Sequence, residues 1–439
     1  MSEKISKVKP RNLSGFLELL PEDQVLFNKI YDKIRKSYEK FGFTPLDTPI
    51  LEYSEVLLAK AGGETEKQIY RFNKGDTDIS MRFDLTVPLA KYVAMHSGEL
   101  VFPFRRYQMG KVFRGERTQK GRFREFYQCD IDVIGEENLS LMTDAEIPAI
   151  IYDTFLSLGF SNFTIRINNR KILNGFFESL NISNKAQDVL RVIDKLDKIG
   201  IDNVKEELLE IGINVKDIES ILSFISIKGN TDDVIKSLEK LNIQNDIFKE
   251  GLNELKEVVQ GIRGFNVPDV NFKIDLTIAR GLDYYTGTVY ETVLNDYPEM
   301  GSVCSGGRYE NLAEFYTNKK LPGVGISIGL SRLFYKLKEA GIIKPSELTT
   351  AKVVIIPMIE DLNYVLNIAT TLRNNGINTE VNYSKKSIKS MFNYANRIKV
   401  PYVIVIGEDE VKENKVALKN METGEQCVID ITECIEKLK

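Results

Sequence analysis

The sequence predicts an α+β fold with a helical insertion, followed by a separate α/β domain. The length of the chain and the order of its helical and strand patterns predict this fold. The 439 residues are too many for one average core. Helical and strand patterns alternate up to about residue 170, only helical patterns follow, and strand patterns then return. We therefore assign residues 1–170 and 263–345 to one domain in two parts, 171–262 to the insertion, and 346–439 to the α/β domain.

The first domain opens with a helix. Pro21-Glu22-Asp23 is typical of a helix start, because proline suits the first turn and acidic side chains favour the N-terminal end. Apolar residues then repeat at helical spacing, and the helix should end before Gly42. These residues are Leu26, Ile30, Ile34 and Tyr38.

The insertion and the last domain have different patterns. The insertion is helical, rich in lysine and glutamate, and broken by Gly200, Gly212 and Gly229. After Lys344-Pro345-Ser346, strands and helices alternate, which predicts a partly parallel sheet. The predicted elements are strands at 352–356, 379–383 and 402–406, a helix ending near Gly376, and a basic helix at 385–399.

Composition excludes several classes of protein. Hydrophobic residues make up 43% and charged residues 28%, and the net charge is −4, so a globally basic nucleic-acid binder is excluded but a local basic patch is not. The chain has no apolar run of membrane-spanning length and no secretion signal at its N-terminus, so we expect a cytoplasmic protein without a membrane partner.

Cysteine and histidine are too sparse for a metal site or a histidine-based triad. The four cysteines form no CxxC pair, so we expect no protein-held structural metal. The one histidine, His96, has no motif around it, and we expect it to have no catalytic role.

The densest chemical pattern is the basic segment between Phe104 and Gln128. It holds eight Lys or Arg residues against two acidic ones, and Thr118-Gln119-Lys120-Gly121 predicts a loop between two strands. Arginines on such a hairpin can bind phosphate bidentately, each charge-assisted bond contributing about 1.5–3 kcal/mol. The alternative is a basic surface that only faces water.

Three further segments suggest ligand contact. Residues 279–287 (ARGLDYYTG) combine an arginine, a glycine and two tyrosines, although a strand end with packed aromatics would have the same pattern. Residues 304–309 (CSGGRY) and 323–333 (GVGISIGLSRL) place glycines before a helix. The second segment lacks the phosphate-loop and dinucleotide patterns, and glycine-mediated packing is the alternative.

An acid and a hydroxyl stand two residues apart in residues 81–88 (MRFDLTVP). We expect a strand here, with Asp84 and Thr86 on one face. Asp84 could bind a substrate ammonium group or cap the following helix.

Together these segments resemble the histidyl-tRNA synthetases, which are class II aminoacyl-tRNA synthetases. Class motif 1 is similar to residues 41–52 with Pro49, motif 2 to the 104–132 hairpin with FRGER at 113–117, and motif 3 to 323–333. The histidine-specific signature is similar to 280–291 (RGLDYYTGTVYE) with 305–312 (SGGRYENL). The resemblance covers essentially the whole chain. It implies an antiparallel catalytic sheet flanked by helices, an anticodon-binding C-terminal domain and a homodimer.

The resemblance also implies roles for individual residues. Arg114 and Arg280 would approach the ATP α-phosphate from opposite sides and serve as catalytic residues, and Gln119 would contact the tRNA. The residues implied to bind histidine are Asp84, Leu85, Thr86, Arg114, Gln128, Asp132, Arg280, Tyr284, Tyr285 and Tyr309. Those implied to bind ATP are Arg114, Glu116, Arg122, Phe126 and Arg332.

The implied activity is ATP-dependent formation of histidyl-adenylate, with Mg²⁺ on the pyrophosphate, followed by transfer to tRNA(His). Positive charge around the phosphorus suits this reaction, because two anions must meet. The alternatives are a catalytically silent, histidine-sensing paralogue of histidine biosynthesis, a class II ligase for another amino acid, and an RNA-binding module without chemistry.

The implied role of Arg280 can be tested directly. We expect Arg280→Ala to reduce histidine-dependent ATP–pyrophosphate exchange by about 10²-fold or more, because it removes preorganised charge from the transition state. Exchange of radiolabelled pyrophosphate into ATP measures this. Near-normal exchange by the folded variant would refute the role.

Overall fold

The structure is a computed structural model, and it describes residues 8–59, 64–193, 195–278, 285–310, 312–384 and 386–439. Arg280 and Tyr284 lie outside the described residues, and their roles remain predictions from the sequence. Across the described part of the chain, no helix has both the length and the apolar character needed to cross a membrane.

The described residues form two compact units. Those up to Leu17 and from Tyr31 to Glu339 make the first, and Glu18–Ile30 with Ala340–Lys439 make the second. The boundaries of the four segments predicted from the sequence remain a prediction, since this division groups the chain differently.

The strands described in the first unit are β1 (Thr44–Pro45), β2 (Leu51–Tyr53), β3 (Arg71–Lys74), β4 (Thr77–Met81), β5 (Phe104–Phe113), β6 (Glu125–Ile134), β7 (Phe163–Asn169), β8 (Phe272–Ile274), β9 (Tyr285–Leu294), β10 (Ser302–Tyr309) and β11 (Gly323–Ile328). The helices up to residue 339, of which the first extends across both units, are α1 (Pro21–Lys40), α2 (Ser54–Leu58), α3 (Glu64–Gln68), α4 (Thr86–His96), α5 (Leu141–Leu158), α6 (Arg170–Ser179), α7 (Ala186–Ile193), α8 (Leu196–Glu210), α9 (Val215–Ile225), α10 (Thr231–Lys240), α11 (Asp246–Gly264) and α12 (Leu330–Glu339).

The main sheet of the first unit has the strand order β1-β5-β6-β11-β10-β9-β7-β8. The inner pairings from β5 to β7 are antiparallel, whereas β1 with β5 and β7 with β8 are parallel. Helices flank this sheet, so the predicted α+β class is confirmed, with the refinement that the sheet is mixed at its edges. A small sheet, β2-β4-β3, lies apart from it.

Local sequence accounts for the helix ends. Helix α1 begins at Pro21 as predicted, and Gly42, which follows it, has φ +76°, a conformation that glycine adopts without strain. Between β7 and β8 the chain forms α6 to α11. Asparagine side chains cap four of these helices by accepting backbone N–H groups, as their preference for the N-cap predicts; they are Asn169, Asn214, Asn230 and Asn245.

A buried ion pair joins α5 to the main sheet. The Arg308 guanidinium on β10 donates to the Asp144 carboxylate on α5, with Nε 3.0 Å from Oδ1, and Arg308 also donates to two backbone carbonyls. Tyr290 on β9 donates to the Asp144 carbonyl at 2.8 Å. The Asp144 side chain is 0% exposed and that of Arg308 is 5% exposed. These contacts fix β9 and β10 against the helix.

The second unit contains a five-stranded sheet. Its elements are β12 (Val353–Pro357), α13 (Asn363–Asn374), β13 (Thr379–Val381), α14 (Ile388–Arg397), β14 (Tyr402–Ile406), α15 (Glu408–Glu413), β15 (Val416–Asn420), β16 (Gln426–Ile429) and α16 (Ile431–Leu438). The order is β13-β12-β14-β15-β16, with the first three strands parallel, which confirms the predicted partly parallel α/β domain.

The apolar run of β12 is explained by burial on both faces. Val353 and Ile355 belong to the core cluster that contains residues of α13 and α16. Val354 and Ile356 belong to the cluster on the other face, beside residues of α14. A strand buried on both sides carries continuous apolar residues, which is what the sequence shows.

The Asp144–Arg308 pair should contribute strongly to the stability of the first unit. We expect Asp144→Ala to lower its free energy of unfolding by about 3 kcal/mol or more, because a buried arginine then lacks its counter-ion. Urea unfolding followed by far-UV circular dichroism measures this, since the chain has no tryptophan. In the control Asp188→Ala, which removes the exposed pair with Arg191, the change should stay below about 1 kcal/mol. Equal effects of the two variants would contradict the assignment.

Candidate active site

A cavity of about 660 Å³ lies on one face of the main sheet of the first unit. Strands β6, β11, β10 and β9, which are neighbours in the sheet, line it, and the loop after β5 and the starts of α4 and α12 complete the wall. The residues predicted from the sequence that line this cavity are Asp84, Thr86, Arg114, Glu116, Gln119, Arg122, Phe126, Gln128, Asp132, Tyr285, Tyr309 and Arg332.

Leu85 is placed differently from the prediction. Its side chain is 0% exposed and packs into the core, and it does not line the cavity. Its carbonyl oxygen instead accepts a hydrogen bond from Arg106 Nη2 at 3.2 Å. In this structure Leu85 supports a buried arginine rather than facing a ligand.

Strand alternation places the polar residues of β6 in the cavity. Phe126, Gln128, Asp130 and Asp132 are two residues apart, so their side chains share one face. The antiparallel register sets Arg106 of β5 opposite Asp132 on one side. One strand therefore presents an aromatic ring, an amide and two carboxylates in a row.

Asp132 is held by two partners. Its Oδ2 forms an ion pair with Arg106 Nη2 at 2.5 Å, and its Oδ1 accepts a hydrogen bond from the Tyr309 hydroxyl at 2.9 Å. Burial raises the pKa of Asp132 to about 6, although the Arg106 cation opposes this rise. Each carboxylate oxygen can accept a second bond, so the group can still take an N–H donor from a ligand.

Glycines on β11 make room for these two side chains. A Cβ atom on Gly325 would lie 2.3 Å from Asp132 Oδ1, and one on Gly323 would lie 2.5 Å from the Tyr309 ring. Real Cβ atoms do not approach other atoms so closely. The glycine-rich segment is thus a packing feature, but one that packs the cavity residues themselves.

The strand predicted for Asp84 and Thr86 is wrong. Strand β4 ends at Met81, and Thr86 begins α4. Asp84 Oδ1 accepts the backbone N–H groups of Thr86 and Val87 at 3.1 and 2.9 Å, so the side chain caps the helix. Both residues still line the cavity. Burial raises the pKa of Asp84, and the capping bonds and nearby arginines act in the opposite direction.

Arg114 follows β5 and lies between two aromatic rings. Its guanidinium carbon is 4.3 Å from the centre of the Phe83 ring and 5.1 Å from that of Phe126. Nε donates to the Phe83 carbonyl at 3.2 Å. These contacts hold a cation at the cavity wall, beside a ring that a planar base could stack on.

More positive charge lies towards the loop and α12. Arg332 donates to the Met300 carbonyl at 3.0 Å. Burial lowers the pKa of Arg332, and the neighbouring Arg122 cation lowers it further. Arg122 pairs with Glu116. The carboxylates of Asp130 and Asp132 thus lie towards the middle of the sheet, and the cations lie at the end where the loop leaves it. This arrangement suits a ligand with N–H donors at one end and phosphates at the other.

Sequence reasoning missed Arg106 and Asp130. Arg106 is 0% exposed and Asp130 is 2% exposed, and Asp130 lines the cavity. In the sequence, Arg106 is distinguished only as one member of a basic segment. Two features of the sequence indicate a shared face. Gln128, Asp130 and Asp132 are spaced two residues apart, and Arg106 lies among alternating residues on the preceding strand.

Asp130 belongs to a short polar chain with Ser327 and Gln128. Gln128 Nε2 donates to Ser327 Oγ at 2.7 Å. Burial raises the pKa of Asp130 to about 7, while the Arg106 cation and the neighbouring Ser327 hydroxyl act against this rise. Among the described residues, Asp130 Oδ1 and Gln128 Oε1 have no hydrogen-bond partner.

His96 is not among the residues that line the cavity, and its lack of a catalytic role remains a prediction. It ends α4, its Nδ1 is 3.3 Å from Glu99, and its ring lies 4.7 Å from that of Tyr92.

Comparison with known proteins gives the class first and then the family. Residues 15–333 match the family model described as histidyl-tRNA synthetase, and residues 352–439 match the anticodon binding domain. These matches place the fold and its cavity among the aminoacyl-tRNA synthetases. The chain belongs to the histidyl-tRNA synthetase family.

Relatives and solved structures agree with this placement. The chain is 62% identical to a histidine–tRNA ligase of Clostridium tetani over 98% of both chains. It is 44% identical to the crystal structure of histidyl-tRNA synthetase from Nostoc sp. PCC 7120, covering 98% of this chain and 99% of that one, with a TM-score of 0.91. A Bacillus halodurans structure described as an ATP phosphoribosyltransferase regulatory subunit/histidyl-tRNA synthetase is 20% identical over 89% of this chain and 97% of that one, with a TM-score of 0.74, which shows the fold alone.

The burial of Asp130 predicts a pH-dependent effect on stability. Its pKa is raised from 3.8 to about 7, so the folded chain keeps a proton that the unfolded chain has lost. The resulting penalty on the folded state is absent below about pH 4, grows between about pH 4 and 7, and is complete above about pH 7. The uncharged Asp130→Asn variant lacks it. We expect the melting temperature of the variant, relative to that of the wild type, to rise from about pH 5 to pH 8. A pH-independent difference would contradict the shift.

Proposed function

We propose that the protein is a histidine–tRNA ligase. It uses ATP to convert L-histidine to histidyl-adenylate with release of pyrophosphate, and then transfers the histidyl group to the 3′-terminal adenosine of tRNA(His). The observation that supports this most strongly is the cavity itself. In a chain of this family, buried acceptors on β6 lie beside convergent arginines from the loop after β5 and from α12.

Histidine selection rests on buried polar groups in this proposal. The Asp132 carboxylate, fixed by Arg106 and Tyr309, accepts the imidazole N–H, while Gln128 and Tyr285 bind the rest of the amino acid with Tyr284 and Thr86. The α-ammonium group binds near Asp84. A site built to hydrogen-bond a polar side chain rejects apolar analogues by about 10⁴-fold, because its buried groups would then lack partners.

Adenylate formation requires positive charge around the α-phosphorus. The histidine carboxylate attacks that phosphorus, the bond to pyrophosphate breaks, and negative charge builds up in the transition state. Arg114 binds the α-phosphate and Arg280 approaches it from the other side, while Arg332 holds the γ-phosphate. Phe126 stacks on the adenine, and Glu116 and Arg122 contact the nucleotide. Because Arg114 is held by Phe83, its charge is preorganised.

The cavity is compatible with Mg²⁺ bound alongside ATP. This ion retains several waters and uses one or two carboxylates together with substrate phosphates. Glu291 lines the cavity on β9, in register with Ser305 of β10, and Glu116 lines it from the loop. These carboxylates would hold the ion, which would neutralise charge on the leaving pyrophosphate.

Transfer to tRNA involves regions outside the amino-acid pocket. The terminal ribose 3′-hydroxyl attacks the adenylate carbonyl, and AMP leaves. Gln119 lies in the loop between β5 and β6, where the acceptor end would enter, and residues 346–439 would bind the anticodon. The helical insertion would contact the acceptor arm. We further propose a cytoplasmic homodimer.

No observation favours the alternatives. A silent histidine-sensing paralogue is expected to lack the anticodon-binding module and the ATP-binding arginines, whereas this chain matches that module and has Arg114 and Arg332 at the cavity. The regulatory-subunit relative shares the fold at 20% identity. A binding module without chemistry would leave the converging arginines unexplained.

The proposed activity predicts ATP–pyrophosphate exchange that depends on histidine. We expect exchange with L-histidine to exceed that with each of the other nineteen amino acids by about 10³-fold or more, because buried acceptors penalise side chains without matching donors. Charging of purified tRNA with labelled histidine should follow. Exchange driven by another amino acid would show that this amino acid, and not histidine, is the substrate. Absence of exchange with all twenty amino acids would favour the histidine-sensing paralogue.

A further inference from the structure

Asp130 has no role in the proposed reaction, although it lines the amino-acid cavity between Gln128 and Asp132. It is 2% exposed, and its Oδ1 has no hydrogen-bond partner among the described residues. A buried carboxylate that only stabilised the fold would be expected to have both oxygens satisfied. The unsatisfied oxygen therefore indicates that Asp130 acts on the ligand bound in the cavity and not only on the stability of the fold.

The contacts of Ser327 connect Asp130 to Gln128. The antiparallel register of β6 and β11 sets Ser327 directly opposite Asp130. The serine side chain therefore lies beside that of Asp130 on the cavity face, and its hydroxyl oxygen accepts from Gln128 Nε2 at 2.7 Å, which leaves the serine hydrogen available to the carboxylate. The other end of the amide, Oε1, is buried and has no partner in the part of the chain that the structure describes. The amide thus presents an acceptor towards the cavity.

We propose that Asp130 is a positioning residue that determines, through Ser327, which end of the Gln128 amide faces the amino acid. This inference rests on the proposed function and extends it to a residue that the proposal leaves without a role.

Hydrogen-bond polarity explains the relay. An ionised carboxylate can only accept, so Ser327 must donate its one hydrogen to Asp130 and use its oxygen to accept from Gln128 Nε2. The Gln128 carbonyl oxygen is then left to accept from the amino acid, whose α-ammonium group and imidazole carry N–H donors.

Protonation of Asp130 reverses this order. The carboxyl group can then donate to Ser327 Oγ, which frees the serine hydrogen to point towards Gln128. The amide is best satisfied when it rotates and accepts that hydrogen through Oε1, which leaves its N–H groups facing the cavity. Donors would then meet donors, and histidine would bind less tightly.

Several charged or titratable groups surround this relay. Arg106 lies on β5, Asp132 on the same strand as Asp130, Asp84 before α4, Cys304 on β10 and Tyr38 on α1. Arg106 favours the ionised form of Asp130, whereas Asp132 and Asp84 disfavour it. With the pKa of Asp130 raised to about 7, the relay switches near neutral pH, above the pKa of about 6 at Asp132.

The test is the pH dependence of histidine use by the full-length protein. ATP–pyrophosphate exchange gives KM for L-histidine and kcat between about pH 6 and 8.5, and calorimetric titration with L-histidine gives Kd. For the wild type we expect KM to rise about tenfold as the pH falls from 8 to 6, the equivalent of one lost hydrogen bond. Ionisation of the imidazole contributes equally to all variants. Removal of the Asp130 charge also shifts the pKa of Asp132, so a variant that keeps both carboxylates is needed beside Asp130→Asn.

Two variants remove the relay in different ways. In Asp130→Asn the group no longer titrates, so the part of the KM change centred near pH 7 should disappear. In Ser327→Ala the carboxylate remains but loses its connection to Gln128. KM at pH 8 should therefore rise about tenfold, and kcat should change less than about threefold. The part of the KM change centred near pH 7 should disappear in this variant too. The matched control is Ser331→Ala. Its hydroxyl accepts the Tyr127 backbone N–H, and the control should keep the wild-type pH profile.

The outcomes separate this inference from the proposed function. If the folded wild type shows no exchange with histidine, the proposed function fails. If the wild type is active and both Asp130→Asn and Ser327→Ala keep its pH profile, the relay is refuted and the ligase assignment stands. The relay is supported if the KM change centred near pH 7 disappears in both variants and remains in Ser331→Ala.

Discussion

The ion pair between Arg106 and Asp132 is the contact on which the rest of the cavity depends. Arg106 has no exposed side-chain surface, and its Nη2 binds both the Asp132 carboxylate and the Leu85 carbonyl. Two charges taken out of water are stable only when they face each other closely. The pair therefore fixes the position of β5 relative to β6 and of the segment leading into α4. Asp84 and Thr86 are the neighbours of Leu85 in that segment, so their positions depend on the same contact.

The same pair determines the charge that a ligand meets. Asp130 and Asp132 are two buried carboxylates on one strand face, and Arg106 is the buried cation directly opposite Asp132 on β5. The middle of the sheet therefore keeps unused acceptor capacity, while the loop and α12 contribute arginines at the other end. An amino acid joined to a nucleotide phosphate matches this polarity, because its N–H groups and its phosphate lie at opposite ends. The glycines at 323 and 325 belong to the same arrangement, since larger residues would displace Tyr309 and Asp132.

Much of this arrangement could be predicted from the sequence. Alternation along 125–134 predicts which residues share a face. Apolar runs predict the three parallel strands of the second unit but not β15 and β16, and Pro21 with the acidic residues after it predicts the start of α1. The conformation of residues 82–85 could not be predicted in this way. There an aspartate binds the backbone of its own neighbours at residues 86 and 87 and ends the strand pattern. The role of Arg106 was also hidden, because one arginine within a basic segment looks solvated until the opposite strand is known. Pairing between distant strands decides such cases, and local sequence does not contain it.

In the function proposed above, histidine is selected by a carboxylate that Arg106 and Tyr309 hold in place before the ligand arrives. A crystal structure with L-histidine bound at neutral pH would test this selection. We expect an imidazole N–H within hydrogen-bonding distance of Asp132, with the Asp132 contacts to Arg106 and Tyr309 kept. An imidazole bound away from Asp132, or an Arg106 displaced from it on binding, would refute selection by a preformed carboxylate.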